Sequence, residues 1–520
     1  MQPAGVLGIF QSRPRSFIIP APRPPRKKTL EDLPDEILLH VWDHLRAEWD
    51  YSGFYDPLER APLVAVSRRF YDLFLPLLYQ EVQLENAGRI PLPKLQTVPA
   101  QMRGKYVVTP SLIKFTQVAL RHSRVASAVQ SLRINSWAAG NPWERRSAIY
   151  PELVDAALDV ARLSPESRET WAHELRKGNE EAWLAVLLLL VSNLTKLDLR
   201  PARNDMAFSE MVVQRALNGE HPLQPLQKLE CLRMAPIIFD VELYWDRLSP
   251  WIKLPSLRRL EVRMIMDHYE GQQLVPPPGF AGSKITDIEI RESESDHSLA
   301  RALASLPPIA SLKYEHADGM IANKMEGEFL MPFRRPSPEH EQAQRAFIAS
   351  QGVFDPSILH AALLRSKDTL HTLWLTVHWN QQADQSRGPR NATRSATAKL
   401  LGSLSDFTAL RDLRIRLQNV VRFPGPLLRD LLPSSLETLY LEECPRASMS
   451  VLMAQLRLLI LYREGQMPNL RKVVIQQPPN EQDPPTKVLQ EMEQLKTSAA
   501  GVGVEFEVAE KTTVTYSPRF

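Results

Sequence analysis

The stretch LETLYLEEC, residues 436–444, shows how most of this chain is built. Leu436 is followed after three residues by Leu439 and after two more by Leu441. The alternation at the second and third leucines is typical of a short strand with one buried face, and the first leucine anchors the turn that enters it. Such a strand can bury its leucines only against neighbouring copies, so the stretch predicts a repeated architecture.

The same spacing recurs ten times at starting positions that lie 24 to 65 residues apart. The triads are Val129-Leu132-Ile134, Leu194-Leu197-Leu199, Leu229-Leu232-Met234, Leu257-Leu260-Val262, Ile285-Ile288-Ile290, Ile309-Leu312-Tyr314, Leu370-Leu373-Leu375, Leu410-Leu413-Ile415, Leu436-Leu439-Leu441 and Leu470-Val473-Ile475. Apolar alternation over 502–508 predicts a closing strand. The residues between the triads favour helices, which we expect at 152–161, 180–191, 298–306, 356–364, 396–404 and 451–462.

This pattern resembles the leucine-rich repeat, whose period is about 20–29 residues. Cys444 stands where that repeat has Asn or Cys. The resemblance implies an irregular α/β solenoid, a horseshoe, over 128–510, with insertions near 315–356 and 380–397 that are either binding elements or excursions without structure. We expect Cys444, and Cys231 within an earlier strand, to be packed and inert.

A different pattern precedes the repeats. Pro34 can begin a helix with Asp35 and Glu36 in its first turn, where the helix dipole favours negative charge. Five apolar residues then recur at helical spacing and predict one apolar face; they are Ile37, Leu38, Val41, Trp42 and Leu45. Two further helices are expected from Pro57 and Ser67, and the alternation over 78–84 predicts a short strand.

This order of features resembles the F-box of the fungal type. The resemblance rests on residues 33–38, 63–70 and 78–84; Ser67 and Phe70 depart from the Cys and Trp common in the family. It implies a three-helix domain over 29–84 that binds the Skp-family adaptor of a cullin-based ubiquitin ligase by docking apolar side chains in a groove. The candidate adaptor-binding residues are Leu33, Pro34, Ile37, Leu38, Val41, Leu63, Val66 and Phe70.

Composition limits the other classes of function. The net charge of the 520 residues is +3, but residues 1–30 carry six basic and no acidic residues, so the remainder sums to −3 and lacks the concentrated positive field of a nucleic-acid-binding protein. Two cysteines allow no disulfide framework, which favours the cytoplasm or the nucleus. No apolar run reaches the roughly 20 residues of a membrane span. We expect tails at 1–28 and 511–520 and a transition segment at 85–127.

The sequence contains no motif for catalysis. It lacks a glycine-rich phosphate loop, GxSxG and HExxH, so no catalytic residue, cofactor or metal is expected. Glu442 and Glu443 follow a strand and are interpreted as surface charge. Trp374, His378 and Trp379 could contact a partner if their strand lines an open face, although core packing is the alternative for Trp374.

The sequence therefore predicts an α+β protein with a small three-helix F-box followed by a leucine-rich-repeat-like solenoid. The expected function is that of the substrate-receptor subunit of a Skp–cullin–F-box ubiquitin ligase, with an unknown substrate protein bound by the solenoid. The alternatives are an F-box-like scaffold that acts outside a ligase and an enzyme with a site in the 315–356 insertion.

Overall fold

A computed structural model describes the chain over 30–51, 64–84, 111–135, 151–201, 206–236, 243–267, 269–270, 273–274, 279–318, 354–379, 399–477 and 485–509. The chain divides into two compact units, Met1–Leu78 and Tyr79–Phe520. It is a mixed α/β protein whose second unit contains a twelve-stranded parallel sheet. Of the helix predicted from Pro57 to Val66, only residues 64–66 are described, and Val64 and Ala65 are helical. The 319–353 and 380–398 segments lie outside the described residues.

The first unit contains helices α1, Asp35–Tyr51, and α2, Arg68–Leu78. Arg69 at the start of α2 forms an ion pair with Asp35 at the start of α1. Aromatic rings join the two helices: Trp42 of α1 stacks on Phe74 of α2 with ring centroids 5.1 Å apart. These contacts give the segment a small core of its own.

The second unit is organised by the twelve strands of its large sheet, which pair in parallel and in chain order; two pairs of two-residue strands, Leu243–Tyr244 with Ile265–Met266 and Tyr269–Glu270 with Gln273–Leu274, lie outside this sheet. The strands of the large sheet are β1 Glu81–Leu84, β2 Ser131–Ile134, β3 Lys196–Leu199, β4 Cys231–Met234, β5 Arg259–Arg263, β6 Asp287–Ser293, β7 Ser311–Asp318, β8 Thr372–Trp379, β9 Asp412–Arg416, β10 Thr438–Glu442, β11 Lys472–Gln476 and β12 Glu505–Ala509. All ten leucine triads become strands, β2 to β11, and the alternating segments at 78–84 and 502–508 supply β1 and β12. The strand predictions are therefore confirmed.

The leucines of the triads face one side of the sheet. Leu132, Leu197 and Leu232 are register partners on β2, β3 and β4, and all three are fully buried. Fully burying such a side chain stabilises the fold by about 1.5–3 kcal/mol. The sheet's core is thus one continuous apolar layer shared with the helices between the strands.

Helices connect most of the strands. They are α3 Ser111–Arg121, α4 Ser123–Ala128, α5 Pro151–Ala161, α6 Pro165–Lys177, α7 Glu180–Leu190, α8 Ala207–Leu217, α9 Trp245–Ile252, α10 Asp296–Ser305, α11 Pro356–Leu363, α12 Leu417–Val420, α13 Leu428–Leu431, α14 Met449–Leu461, α15 Arg463–Gln466 and α16 Thr486–Gly501. Five of the six predicted helices are confirmed, as α5, α7, α10, α11 and α14. The pattern missed α6, whose charged sequence hides Trp171 and Leu175 on its buried side.

The helix predicted at 396–404 is wrong over the described residues 399–404, which have no regular structure. Leu401 N–H donates to the carbonyl of Asn419 at 2.7 Å and Leu404 N–H to that of Leu431 at 2.8 Å, so neither makes a helical hydrogen bond. Gly402 lies between them with φ +114°, which a side chain would strain. Leu401 and Leu404 are buried as the apolar spacing predicts, but from an extended loop.

The unit boundary differs from the predicted end of the docking segment at Leu84. Strand β1 pairs with β2, Glu81 opposite Ser131 and Leu84 opposite Ile134, and so belongs to the sheet. Helices α3 and α4 lie in the part that the sequence indicated as a transition. The sheet therefore begins at residue 81.

Candidate functional site: a polar row across the sheet

Polar and aromatic side chains occupy the face of the sheet opposite the leucines. The central residue of each strand is in register with the next, which forms one line that we call the polar row. In strand order it reads Gln83, Arg133, Asp198, Arg233, Glu261, Glu289, Lys313, Trp374, Arg414, Tyr440, Val474 and Glu507. Strands lie about 4.8 Å apart, so adjacent members can interact.

Ion pairs link the first half of the row from strand to strand. Arg133 Nε donates to Asp198 Oδ2 at 2.8 Å, and Arg233 Nε donates to Glu261 Oε2 at 2.6 Å. Arg259, on the same strand as Glu261, places Nε 2.7 Å from its Oε1. The Arg133–Asp198 and Arg233–Glu261 bonds join neighbouring strands, and their residues are 65 and 28 positions apart in sequence.

The carboxylates of this network lie beneath the arginines. The exposed side-chain fractions are 2% for Asp198, 9% for Glu261 and 11% for Glu289, against 32% for Arg133, 53% for Arg259 and 42% for Arg291. The pKa of Arg200 is lowered because burial disfavours its charge and because Arg133, Arg233 and Arg263 repel it, although Asp198 opposes this. The face over β2–β6 therefore presents positive charge to its surroundings.

The second half of the row is aromatic and cationic. Lys313 Nζ lies 4.0 Å from the centre of the Trp374 ring, and the guanidinium of Arg414 lies 4.5 Å from the centre of the Tyr440 ring. Trp374 Nε1 donates to Asp412 Oδ2 at 2.9 Å. Each of these contacts between a cation and an aromatic ring stabilises the arrangement by about 0.5–1 kcal/mol.

The interpretation of Glu442 and Glu443 as surface charge is wrong. Both are buried, and they form ion pairs with Arg414 and Arg416 on the preceding strand. Burial raises the pKa of Glu442, and the neighbouring charge of Arg414 opposes that rise. Pairing across strands offsets part of the cost of burying these acids, and the sequence of a single strand does not reveal such a pairing.

Of the three residues predicted to contact a partner, the structure describes the side chain of Trp374 alone. Trp374 is half-buried on the polar row and does not lie in the leucine core. His378 and Trp379 end strand β8, in register with Ala317 and Asp318, and their side chains lie outside the described residues. The sequence indicated Trp374, but it gave no sign of its neighbours Lys313 and Tyr440, which come from other repeats.

In the first unit, the apolar residues of α1 divide between two stripes. Leu38 and Trp42 are buried in the unit's core, whereas Ile37 and Val41 are 46% and 44% exposed. The single apolar face predicted for this helix is therefore corrected to an inner and an outer stripe, one residue apart.

The other adaptor candidates also differ in exposure. Pro34 and Val66 are exposed and Leu33 is half-buried, but Phe70 is 3% exposed and packs against Phe74. Leu63 lies outside the described residues. Leu38 and Phe70 thus serve the unit's own core and offer no surface to a partner in this structure.

A buried polar cluster lies at the start of α10. Asp296 Oδ2 accepts from the backbone N–H of Asp355 at 3.0 Å, and Asp267 Oδ1 accepts from that of Ser298 at 3.0 Å. Burial raises the pKa of Asp267 to about 6. Tyr314 Oη lies 3.2 Å from His316 Nδ1, and burial raises the pKa of this tyrosine as well. The cluster ties α10 to the strands and to residue 355.

Comparison with known proteins adds no identification. No protein-family model matches the chain, and no curated protein matches it. Within the described residues, no group of three or more His, Cys, Asp or Glu is arranged to hold a metal ion. No helix among the same residues has the length and apolar character needed to cross a membrane.

Proposed function

We propose that this chain is an F-box substrate receptor: its first unit binds the Skp-family adaptor of a cullin-based ubiquitin ligase, and its second unit is a leucine-rich-repeat solenoid that holds a substrate protein. The observation that carries the proposal is the pair of stripes on α1. The inner stripe, Leu38 and Trp42, folds the unit, and the outer stripe, Ile37 and Val41, remains exposed.

The outer stripe has the character of a docking surface. Pro34, Ile37 and Val41 follow one another at spacings of three and four residues, so they lie along one side of the helix. Exposed apolar side chains grouped in this way mark interaction sites. Docking of an apolar helix face into a partner's groove would bury them.

The second unit supplies a suitable receiving surface. Its strands follow one another in chain order, each with leucines on the inner side, as in a repeat array. The polar row on the other side combines Trp374, Tyr440 and Arg414, the residue types that dominate binding energy at protein interfaces. The receptor would do no chemistry itself; it would raise the local concentration of substrate beside the ubiquitin-charged enzyme.

The test is co-purification of the full-length chain with the Skp-family adaptor and cullin. The variant Ile37→Asp/Val41→Asp changes only exposed side chains, so we expect it to fold normally and to lose the adaptor. The control Val451→Asp alters an equally exposed residue of α14, at 46%, and should retain the adaptor. Thermal melting of all three proteins checks folding.

Three outcomes separate the proposals. Adaptor and cullin with wild type and with the control, but not with the α1 variant, would support the receptor. Adaptor without cullin would favour the alternative, a scaffold that acts outside a ligase. No adaptor with any form would refute the assignment of the first unit.

A further inference from the structure

We propose that the part of the polar face over strands β2–β6 binds an acidic, carboxylate-rich segment of a partner protein. The inference rests on the proposed function in that this face receives the substrate, and it names the chemistry of that substrate. It follows from the composition and the layering of the ion-pair network.

The network is unbalanced in charge. Among the described residues it contains six arginines and four carboxylates, an excess of two positive charges. The arginines are Arg133, Arg200, Arg233, Arg259, Arg263 and Arg291, and the carboxylates are Asp198, Glu261, Glu289 and Glu292. The carboxylates are at most 12% exposed, so an approaching partner meets guanidinium groups first.

Arg133 and Arg259 are the arginines of the network best placed to donate to a further carboxylate, because both side chains are partly exposed. A guanidinium carries five N–H donors in a planar fork. Within the described part of the chain, Arg133 donates from Nε to Asp198, and Arg259 contacts Glu261 through Nε and Glu289 through Nη2 at 3.7 Å. The exposed fractions of the two side chains are 32% and 53%. Their buried carboxylates fix the orientation of each guanidinium, which reduces the conformational entropy that binding would cost.

The distribution of charge favours carboxylates over phosphates and nucleic acid. The excess of two charges is spread over five strands, and each arginine lies against an acid. Single negative charges a few Å apart match this arrangement, whereas a phosphate dianion is bound most tightly where unpaired guanidinium groups converge. A phosphodiester chain would also require a concentrated positive field, which the buried acids reduce.

The far end of the face has the opposite polarity and so limits where the segment can bind. On β11 and β12, Lys472 is 34% exposed, but its partners Glu505 and Glu507 are 64% and 47% exposed. Acids there lie outermost and would repel a negative segment. The partner segment should therefore bind over β2–β6 and extend toward Lys313 on β7 and Trp374 on β8, away from β11 and β12.

The test is fluorescence anisotropy with the full-length chain and a fluorescein-labelled peptide of alternating Glu and Ala. We expect binding that weakens as salt rises to about 0.3 M, because the contact is electrostatic. The variant Arg133→Ala/Arg259→Ala should weaken binding by about tenfold or more. We expect this variant to fold, because both buried carboxylates retain a cationic partner. Asp198 still pairs with Arg233 at 3.7 Å and with Arg200 at 3.9 Å, and Glu261 still pairs with Arg233.

The control is Arg168→Ala, which removes an arginine of similar exposure, 42%, from an ion pair with Asp159 at 3.0 Å on the helical side of the unit. It should leave the affinity unchanged. The inference is overturned if the Glu/Ala peptide does not bind, if both variants lose affinity equally, or if only a phosphoserine peptide or a single-stranded RNA binds. Ile37→Asp/Val41→Asp should bind the peptide normally, so loss of the adaptor and loss of the peptide are separate results.

Discussion

The indole nitrogen of Trp374 donates a 2.9 Å hydrogen bond to the carboxylate of Asp412, one strand further along the sheet. The two residues are not direct register partners, since Trp374 lies opposite Arg414 and Asp412 opposite Thr372. The bond therefore runs diagonally between β8 and β9. It orients the indole ring, whose centre lies 4.0 Å from Lys313 Nζ.

A double-mutant cycle on this pair should give a coupling free energy of about 1 kcal/mol or somewhat more, as for a hydrogen bond to a charged group. The variants are Trp374→Phe, Asp412→Ala and their combination, and the measurement is urea unfolding of each. A cycle on Trp374 and Thr376, which lie on the same strand without a hydrogen bond between them, is the control. Coupling near zero in the first cycle would contradict the geometry.

Glu181 stabilises a helix to which it does not belong. It lies on α7, is 1% exposed, and accepts hydrogen bonds from the backbone N–H of Ser209 at 2.6 Å and of Phe208 at 3.0 Å, in the first turn of α8. Met206, at the start of that helix, provides no side-chain cap. We expect Glu181→Ala to lower the free energy of unfolding by about 3 kcal/mol, because buried donors lose a charged acceptor.

The comparison for this prediction is Glu210→Ala. Glu210 is 21% exposed and pairs with Arg247 at 3.2 Å, so its loss should cost less than about 1 kcal/mol. Chemical denaturation followed by circular dichroism measures both. Equal losses for the two variants would show that Glu181 does not act as a cap.

The stability of the protein should contain a component that increases as the pH falls. The pKa of Asp267 is raised from 3.8 to about 6 in the folded chain, so between these values the folded state binds more protons than the unfolded state. This gain in the free energy of unfolding is absent above about pH 6. It is complete below the unfolded pKa of 3.8, where it amounts to about 3 kcal/mol.

Asp267→Asn isolates this component because the amide does not titrate. The difference between the unfolding free energies of wild type and variant should change by about 3 kcal/mol between pH 7 and pH 3, with wild type gaining as the pH falls. Carboxylates remote from this cluster contribute equally to both profiles, and Asp296, whose charge helps to raise the pKa of Asp267, is the neighbour that the substitution also affects. Parallel profiles would mean that Asp267 titrates normally.

The two thiols should differ in accessibility but react slowly. Burial raises the pKa of both, and Cys444 is fully buried while Cys231 is only half-buried on the polar face. We expect Ellman's reagent to modify Cys231 slowly in the native protein and Cys444 only after denaturation. Cys231→Ser should remove the native reaction; a fast native reaction in that variant would contradict the burial of Cys444.

The strands could be predicted from the sequence because each is a local signal. Leu436, Leu439 and Leu441 show the spacing within one short segment: Leu439 and Leu441 share one face of the strand, and Leu436 is buried from the turn before it. The helix predicted at 396–404 failed for the same local reason: Leu401 and Leu404 are spaced as on a helix, but the nearby Gly402 and contacts to 419 and 431 decide the backbone.

The candidate site could be predicted only in part because it is assembled from distant segments. Arg133 and Asp198 are 65 residues apart, and no local pattern indicates that they meet. Exposure on α1 was equally hidden, since Ile37 and Leu38 are neighbours of similar hydrophobicity and differ only in the side of the helix they occupy. Trp374 could be indicated from the sequence because it belongs to a local stretch rich in aromatic residues, which is visible without knowledge of how the strands pair.

The strict chain order of the twelve strands also sets a length scale. Because each strand adds one side chain to the polar row at about 4.8 Å, the row extends for roughly 50 Å along the sheet. An extended peptide rises about 3.3 Å per residue, so a segment of roughly fifteen residues would cross every strand. A ligand that contacts both Arg133 and Tyr440 must therefore span eight strand spacings, or roughly 40 Å, whereas a single compact loop could reach only a few neighbouring strands.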